Sequence, residues 1–272
     1  MKKLLIVTLV ALLAIALVAG CGQQKPQEQT PPVESEPKQP AENQEVSYND
    51  GVYYVEKADF DDHGWKAMVT VVVKDGKIAG VYFDEINEDG VIKSFDTEYA
   101  SNMKAKSGTT PLDAYNELEV SLISKQNPEN VDAVTGATHS SDSFKEMVKE
   151  ALAGSPVEAA GTYKDGLYKA AEKDFDDHGW KAIAAVIIKD GKVVTAAFDE
   201  TNKDDGRYKS VDEEYASNME EKSGTTPAKA IQALSNSLID KQDAAAVDLV
   251  TGATGTADKF KTLMGEVLSL AK

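Results

Sequence analysis

The chain is poor in the residues that bind metals or form cross-links. Its 272 residues include one cysteine, Cys21, and three histidines, His63, His139 and His178. That is too few for a zinc cluster, a C-x-x-C-H haem site or an iron–sulfur set, so any redox chemistry here calls for an organic cofactor. A disulfide is equally excluded, and the fold must rest on core packing. Positive charge is scarce as well: the net charge is -17, and no basic block occurs beyond the first three residues. This argues against a nucleic-acid partner and against adsorption to anionic lipid, while the acidity itself asks for no more than solubility. Residues 22–47 have no aromatic side chain and contain five prolines. Such a composition buries too little apolar surface to fold and reads as a disordered linker.

Residues 1–20 have the plan of an export signal: Lys2 and Lys3, an apolar run over 4–19, then Ala19 and Gly20 just before Cys21. With Leu17 and Val18 in front, this resembles the lipobox of bacterial lipoproteins, which implies cleavage before Cys21 and lipidation of its sulfur. The linker over 21–47, if polyproline-like, would hold the first folded domain on the order of 80 Å from the lipid. Such a chain would sit on the extracellular face of a cell membrane, held by its lipid anchor.

Beyond the linker, the sequence repeats itself. DAVTGAT at 132–138 returns as DLVTGAT at 248–254, FDDHGWKA at 60–67 returns at 175–182, and EYASNM with KSGTTP, from Glu98, returns from Glu214. The offset is 115 and then 116, which places one inserted residue between Glu200 and Lys209. Units of this size have room for a core of their own. Each opens on a short β-rich segment, 51–55 or 166–168, and continues into a hairpin, 67–73 and 78–83 around Asp75-Gly76, or 182–188 and 193–198 around Asp190-Gly191. A helix follows, marked by Thr110-Pro111 and Thr226-Pro227, with apolar faces Ala114, Tyr115, Leu118, Leu122 and Ala230, Ile231, Leu234, Leu238. The last helix carries Phe144, Met147, Val148, Ala151 and Leu152, matched by Phe260, Leu263, Met264, Val267 and Leu268. The reading is α+β: two tandem homologous domains, 48–155 and 162–272, each an antiparallel sheet covered by helices, joined near residues 154–161.

The chemistry concentrates at TGAT, directly before the last helix. Gly136 and Ala137 leave the backbone uncovered, Ser140, Ser141 and Asp142 are available as caps, and a helix N-terminus with free N–H groups suits a phosphate. Spacing alone leaves three readings open: the threonine as donor, the threonine as acceptor of a covalent group, or a tight turn with no ligand. DDHGW puts His63 and Trp65, with His178 and Trp180, at matching positions, either as flat-ring contacts or as a core aromatic beside a surface histidine. Lys106 and Ser107, with Lys222 and Ser223, are expected at a helix start within reach of phosphate. Glu85, Asn87, Asp89 and Gly90 look like the start of a calcium loop, but the insertion in the second copy breaks the spacing and an acidic turn accounts for both. No metal site is expected.

D-x-V-T-G-A-T after a KDGK hairpin and before a terminal amphipathic helix resembles the FMN-binding domain of flavoprotein subunits in sodium-translocating NADH:quinone oxidoreductase and Rnf complexes. The resemblance implies FMN joined by a phosphoester bond to the last threonine of the motif by a flavin transferase that uses FAD as donor. The acceptors would be Thr138 and Thr254, within a recognition sequence of Asp132, Thr135, Gly136 and Ala137, or Asp248, Thr251, Gly252 and Ala253. Ser140 and Thr256 rank second. The full plan, lipobox, tether and two such domains, is similar to the PplA-type lipoproteins of flavin-based extracellular electron transfer in Gram-positive bacteria. That likeness implies an electron carrier rather than a substrate-specific enzyme, taking electrons from a membrane quinone reductase system and its demethylmenaquinone pool and passing them to extracellular ferric iron or partner reductases. An alternative is a binding or signalling lipoprotein whose excised signal peptide acts as a pheromone. A third, a reductase with its own small substrate, lacks a further acid–base pair shared by both copies.

Overall fold

The computed structural model describes residues 47–272; the signal peptide, Cys21 and the linker up to residue 46 lie outside the described residues. The first repeat runs β1 (Gly51–Glu56), β2 (Trp65–Lys74), β3 (Lys77–Asn87), α1 (Thr97–Ser107), α2 (Pro111–Lys125) and α3 (Thr138–Ala153). The second runs β4 (Gly166–Ala171), β5 (Trp180–Lys189), β6 (Lys192–Asn202), α4 (Glu213–Ser223), α5 (Pro227–Lys241) and α6 (Thr254–Leu270). Each repeat has one antiparallel three-stranded sheet with its long hairpin strand in the middle, β1-β2-β3 and β4-β5-β6. The α+β reading therefore holds. Among the described residues no helix is long and apolar enough to cross a membrane.

The hairpins turn where Asp-Gly predicts, with Asp75 at φ 54° and Gly76 at φ 74°, and Asp190 at 51° with Gly191 at 70°. Two successive positive φ values make the tight reversal that follows strand twist. Thr110 and Thr226 each accept a backbone N–H three residues on, capping α2 and α5 ahead of their prolines. Both C-terminal ends of these helices close on a left-handed glutamine, Gln126 and Gln242, whose side chain then bonds the β3 or β6 backbone at Ile78 or Val193.

The central strands show why the sequence there is apolar almost without a break. Ala67, Val69, Val71 and Val73 pack under α2 and α3, and Ala182, Ala184, Val186 and Ile188 pack under α5 and α6. The alternate residues point the other way, where Met68 meets Leu167, Ala185 and Ile187 across the repeat boundary. A strand covered on both faces loses the polar alternation of a half-exposed one. The two sheets thus lie back to back within the one compact unit that holds both repeats, with the helices outside. At the seam Lys169 of β4 reaches Glu119 at 2.7 Å and donates to the carbonyl of Phe83 at 2.8 Å, and the Leu167 N–H bonds Thr70 Oγ1 at 2.9 Å.

One pair of elements departs from expectation. Residues 97–107 and 213–223 are helices, α1 and α4, and Lys106, Ser107, Lys222 and Ser223 stand at their C-terminal ends rather than at a helix start. Buried residues are confined to Ala100 in α1 and absent from α4, so no apolar stripe marks either helix. What marks them is the caps: Asp96 and Asp212 accept N–H groups of the first turn, and Gly108 and Gly224 close the last turn at φ 81° and 73°.

Candidate functional site

Each repeat carries one cleft at the start of its last helix. Gly136 sits at φ +82°, and a Cβ there would lie 2.8 Å from the Cβ and carbonyl oxygen of Ser107; Gly252 stands the same way, 2.7 Å from Ser223. The TGAT loop is therefore stacked directly on the C-terminal end of α1 in the first repeat and of α4 in the second. Thr138 and Thr254 follow as the first residues of α3 and α6, behind N-caps Ala137 and Ala253 that supply no side-chain cap, and neither first turn holds an acidic residue. Both helix starts keep their positive end uncompensated, which suits a phosphate.

The serines expected as caps do something else. Ser141 donates to the carbonyl of Ala137 at 2.8 Å and accepts from Val134, Ser140 donates to Glu85 at 3.1 Å, and Asp142 faces Lys145. Packing has turned the two serine side chains inward, while Asp142 stays exposed. The Thr138 and Thr254 side chains are exposed, whereas Ser140 and Thr256 are only 8% and 9% exposed. An acceptor for an external group must be reachable, and by this measure the threonines are.

The first cleft, of about 470 Å³, is lined by the Gly136–Ala137–Thr138 turn and by His63, Lys106 and Ser107, which sequence reasoning had named. It is lined as well by Asp61, Lys93, Tyr99 and Tyr115, which it had not. The second, about 240 Å³, has Gly252, Ala253, Thr254 and His178 on its wall, with Asp176, Glu200, Lys209, Tyr215 and Lys259. Neither wall includes Trp65 or Trp180. The indoles are buried, edge-on to Tyr99 at 5.4 Å and to Tyr215 at 5.8 Å, with the amines of Lys93 and Lys209 over their faces at 4.8 and 5.2 Å. Lys222 and Ser223 are also absent from the second wall, and Ser223 donates to Met219. Asp132 and Asp248 stand on the surface beside Lys125 and Lys241, and Thr135 and Thr251 are exposed in the loop.

Below each cleft lies a buried ion pair. Lys93 Nζ is 2.7 Å from Glu85 Oε2, and the other oxygen of Glu85 accepts from Tyr115 at 2.9 Å and from Ser140. In the second copy Lys209 meets Glu200 at 2.9 Å, and a second amine, Lys259, takes the other oxygen at 2.9 Å while also bonding Asp176 at 2.8 Å. Glu85 is part of β3, not of an acidic turn. Burial raises the Tyr115 hydroxyl well above its ordinary range, and the neighbouring carboxylates add to this, so it stays a donor. Burial alone would lift Asp176, but the Lys259 amine and the N–H groups of Trp180 and His178 win and hold it at about 2. Asp61 keeps the same two N–H donors, from Trp65 and His63, with no amine in contact, and is also lowered, by those bonds against burial. The signal that had been available was repetition: FDE at 83–85 and 198–200, and Lys-Ser at 93–94 and 209–210, stand in both copies.

Residues 64–153 match the FMN-binding domain family. The 15 kDa lipoprotein of Treponema pallidum (strain Nichols) is 42% identical over 106 residues, covering 39% of this chain and 75% of that protein. The chain belongs to the FMN-binding domain family. Among solved structures, a Clostridium perfringens protein is 37% identical over 40% of this chain and 88% of its own, with a TM-score of 0.39. One from Clostridium thermocellum is 29% identical over 38% and 89%, with a TM-score of 0.27. In an FMN-binding domain the uncapped helix start is the element suited to hold a phosphate.

Proposed function

We propose that the protein is a lipid-anchored flavoprotein electron carrier, with one FMN bound through a phosphoester to Thr138 and one to Thr254. The observation that carries this reading is the pair of exposed threonines, each opening an uncapped helix at the edge of a cleft whose lysine, aspartate, tyrosine and histidine recur in both repeats. The name of the Treponema relative supports the lipoprotein part. A flavin accepts two electrons and releases them singly, so such a carrier would link a membrane quinol pool to one-electron acceptors such as ferric iron or to partner reductases outside the cell. A covalent bond keeps the cofactor from diffusing away there.

The test is co-expression with a flavin transferase that uses FAD, followed by intact mass and in-gel flavin fluorescence under denaturing conditions. The expectation is two flavin increments in the unmutated chain, one in Thr138→Ala, one in Thr254→Ala and none in the double variant. Two increments retained in the double variant would move the acceptors to Ser140 and Thr256; none in the unmutated chain would end the reading.

A further inference from the structure

The lysines on the two cleft walls are joined through the seam between the repeats. Lys93 is followed by Ser94, and Lys209 is preceded by Tyr208. The Tyr208 hydroxyl donates to the Ser94 carbonyl oxygen at 2.5 Å, both residues being buried. The path from cleft to cleft is then one peptide unit, one hydrogen bond, one tyrosine side chain and one more peptide unit. From Lys93 Cα to Lys209 Cα that is on the order of 20 Å along the bonds.

Both ends of the path are clamped. Asp84 of β3 accepts from the Ser94 hydroxyl and from its N–H, and Asp199 of β6 does the same for Ser210. The tyrosine ring is packed with Ala100, Ile183, Phe95 and Leu112 from both repeats. Among the described residues the link exists once only. Tyr208 pairs with Thr201 of β6 as Ile92 pairs with Ile86 of β3, so the first repeat has an apolar side chain where the second has the hydroxyl. Ile92 fills the shared core between the sheets and cannot make a reciprocal bond to Ser210.

We infer that the two flavins exchange electrons within one molecule, and that the Tyr208–Ser94 hydrogen bond is the coupling element between the sites. This rests on the two-flavin reading above. In the step, one electron leaves the reduced flavin at one site and arrives on the oxidised flavin at the other; the donor is oxidised by one electron and the acceptor reduced by one. The proton balance is made with solvent, to which both clefts open. Tyr208 is neither oxidised nor deprotonated. It is a positioning and coupling residue, which replaces a gap across the seam by a bonded path along which electronic coupling decays less steeply than through space.

The experiment uses the full chain with flavins installed, and mass is measured first, because fewer than two increments would count against the two-flavin reading and not against the coupling. The doubly loaded protein is then given a substoichiometric pulse of a one-electron reductant, and flavin absorbance is followed. A relaxation phase independent of protein concentration is expected, present with two flavins and missing from Thr138→Ala and Thr254→Ala. Tyr208→Phe, which keeps the ring and removes the hydroxyl, should slow that phase several-fold, with the flavin–flavin separation from pulsed dipolar spectroscopy unchanged. The inference is overturned if the doubly loaded unmutated chain shows no such phase, if Tyr208→Phe leaves its rate as it was, or if the slowing comes with a changed separation, since the hydroxyl would then act only by holding the repeats in place.

Discussion

Glu85 and Glu200 occupy matching positions, yet their surroundings give them different sensitivities. Glu85 is 3% exposed at its side chain and has a single amine, Lys93, whereas Glu200, 1% exposed, has both Lys209 and Lys259. Removing one partner of a buried pair leaves a charge with no compensation, so Lys93→Met is expected to cost about 3–5 kcal/mol. Lys209→Met should cost clearly less, because Lys259 remains. Urea unfolding of the two variants decides this, and equal losses would refute the account of the second amine. Asp199 makes a second prediction at this scale. Burial raises its carboxyl from 3.8 to about 6, against the Ser210 hydroxyl and the Glu200 and Ser210 N–H groups, which lower it. The folded state therefore binds more protons than the unfolded one between about pH 4 and pH 6, and stability falls as pH rises through that window, by about 3 kcal/mol from this group. Asp199→Asn should flatten that part of a stability profile measured by urea midpoints from pH 4 to 7. Parallel profiles for the two proteins would count against it.

At the scale of elements, the sheets and helices legible in the sequence were those that bury a stripe. The β2 and β5 runs, the α2 and α5 faces below their Thr-Pro starts, and the α3 and α6 stripes are all core. Helices α1 and α4 escaped because periodicity reports burial and these helices bury almost nothing; Asp96 and Gly108, or Asp212 and Gly224, were the readable signs. The same gap hid half of each cleft. Lys93 and Glu85 are common surface residue types, and only the packing of β3 against the turn after it makes them a buried pair. The tight contact between the TGAT loop and the end of α1 stayed hidden along with that helix, and the structure supplies it. That contact is testable: alanine at Gly136 would need φ near +82° and would drive its Cβ into Ser107 backbone at 2.8 Å. Gly136→Ala should abolish or strongly reduce flavin attachment at Thr138 while attachment at Thr254 stays complete, as read by peptide mass. Full labelling of both would show that the loop tolerates rearrangement.

For the whole molecule, the duplication built one body rather than two beads. The face of each sheet that its own helices leave uncovered is filled by the other repeat, through Met68, Leu167, Ala185 and Ile187. Lys169 anchors this seam: its amine sits between Glu119 and Asp84, at 2.7 and 3.9 Å, and all three side chains are largely withdrawn from water. A first repeat without the second would expose that apolar face and leave two buried carboxyls without their cation. Both carboxyls are already raised by burial, which the amine only partly offsets. The expectation is a single cooperative unfolding transition, with calorimetric and van't Hoff enthalpies in agreement. Because each repeat has one tryptophan, Trp65→Phe and Trp180→Phe proteins report the two halves separately, and their fluorescence midpoints should coincide. Lys169→Met should then lower both midpoints together, by about 3 kcal/mol or more at neutral pH and by less near pH 4, where the carboxyls take up protons. Two resolved transitions, or a Lys169→Met effect confined to the Trp180 signal, would mean that the repeats fold independently. The fixed relation between clefts, on which coupling through Tyr208 depends, would then be lost.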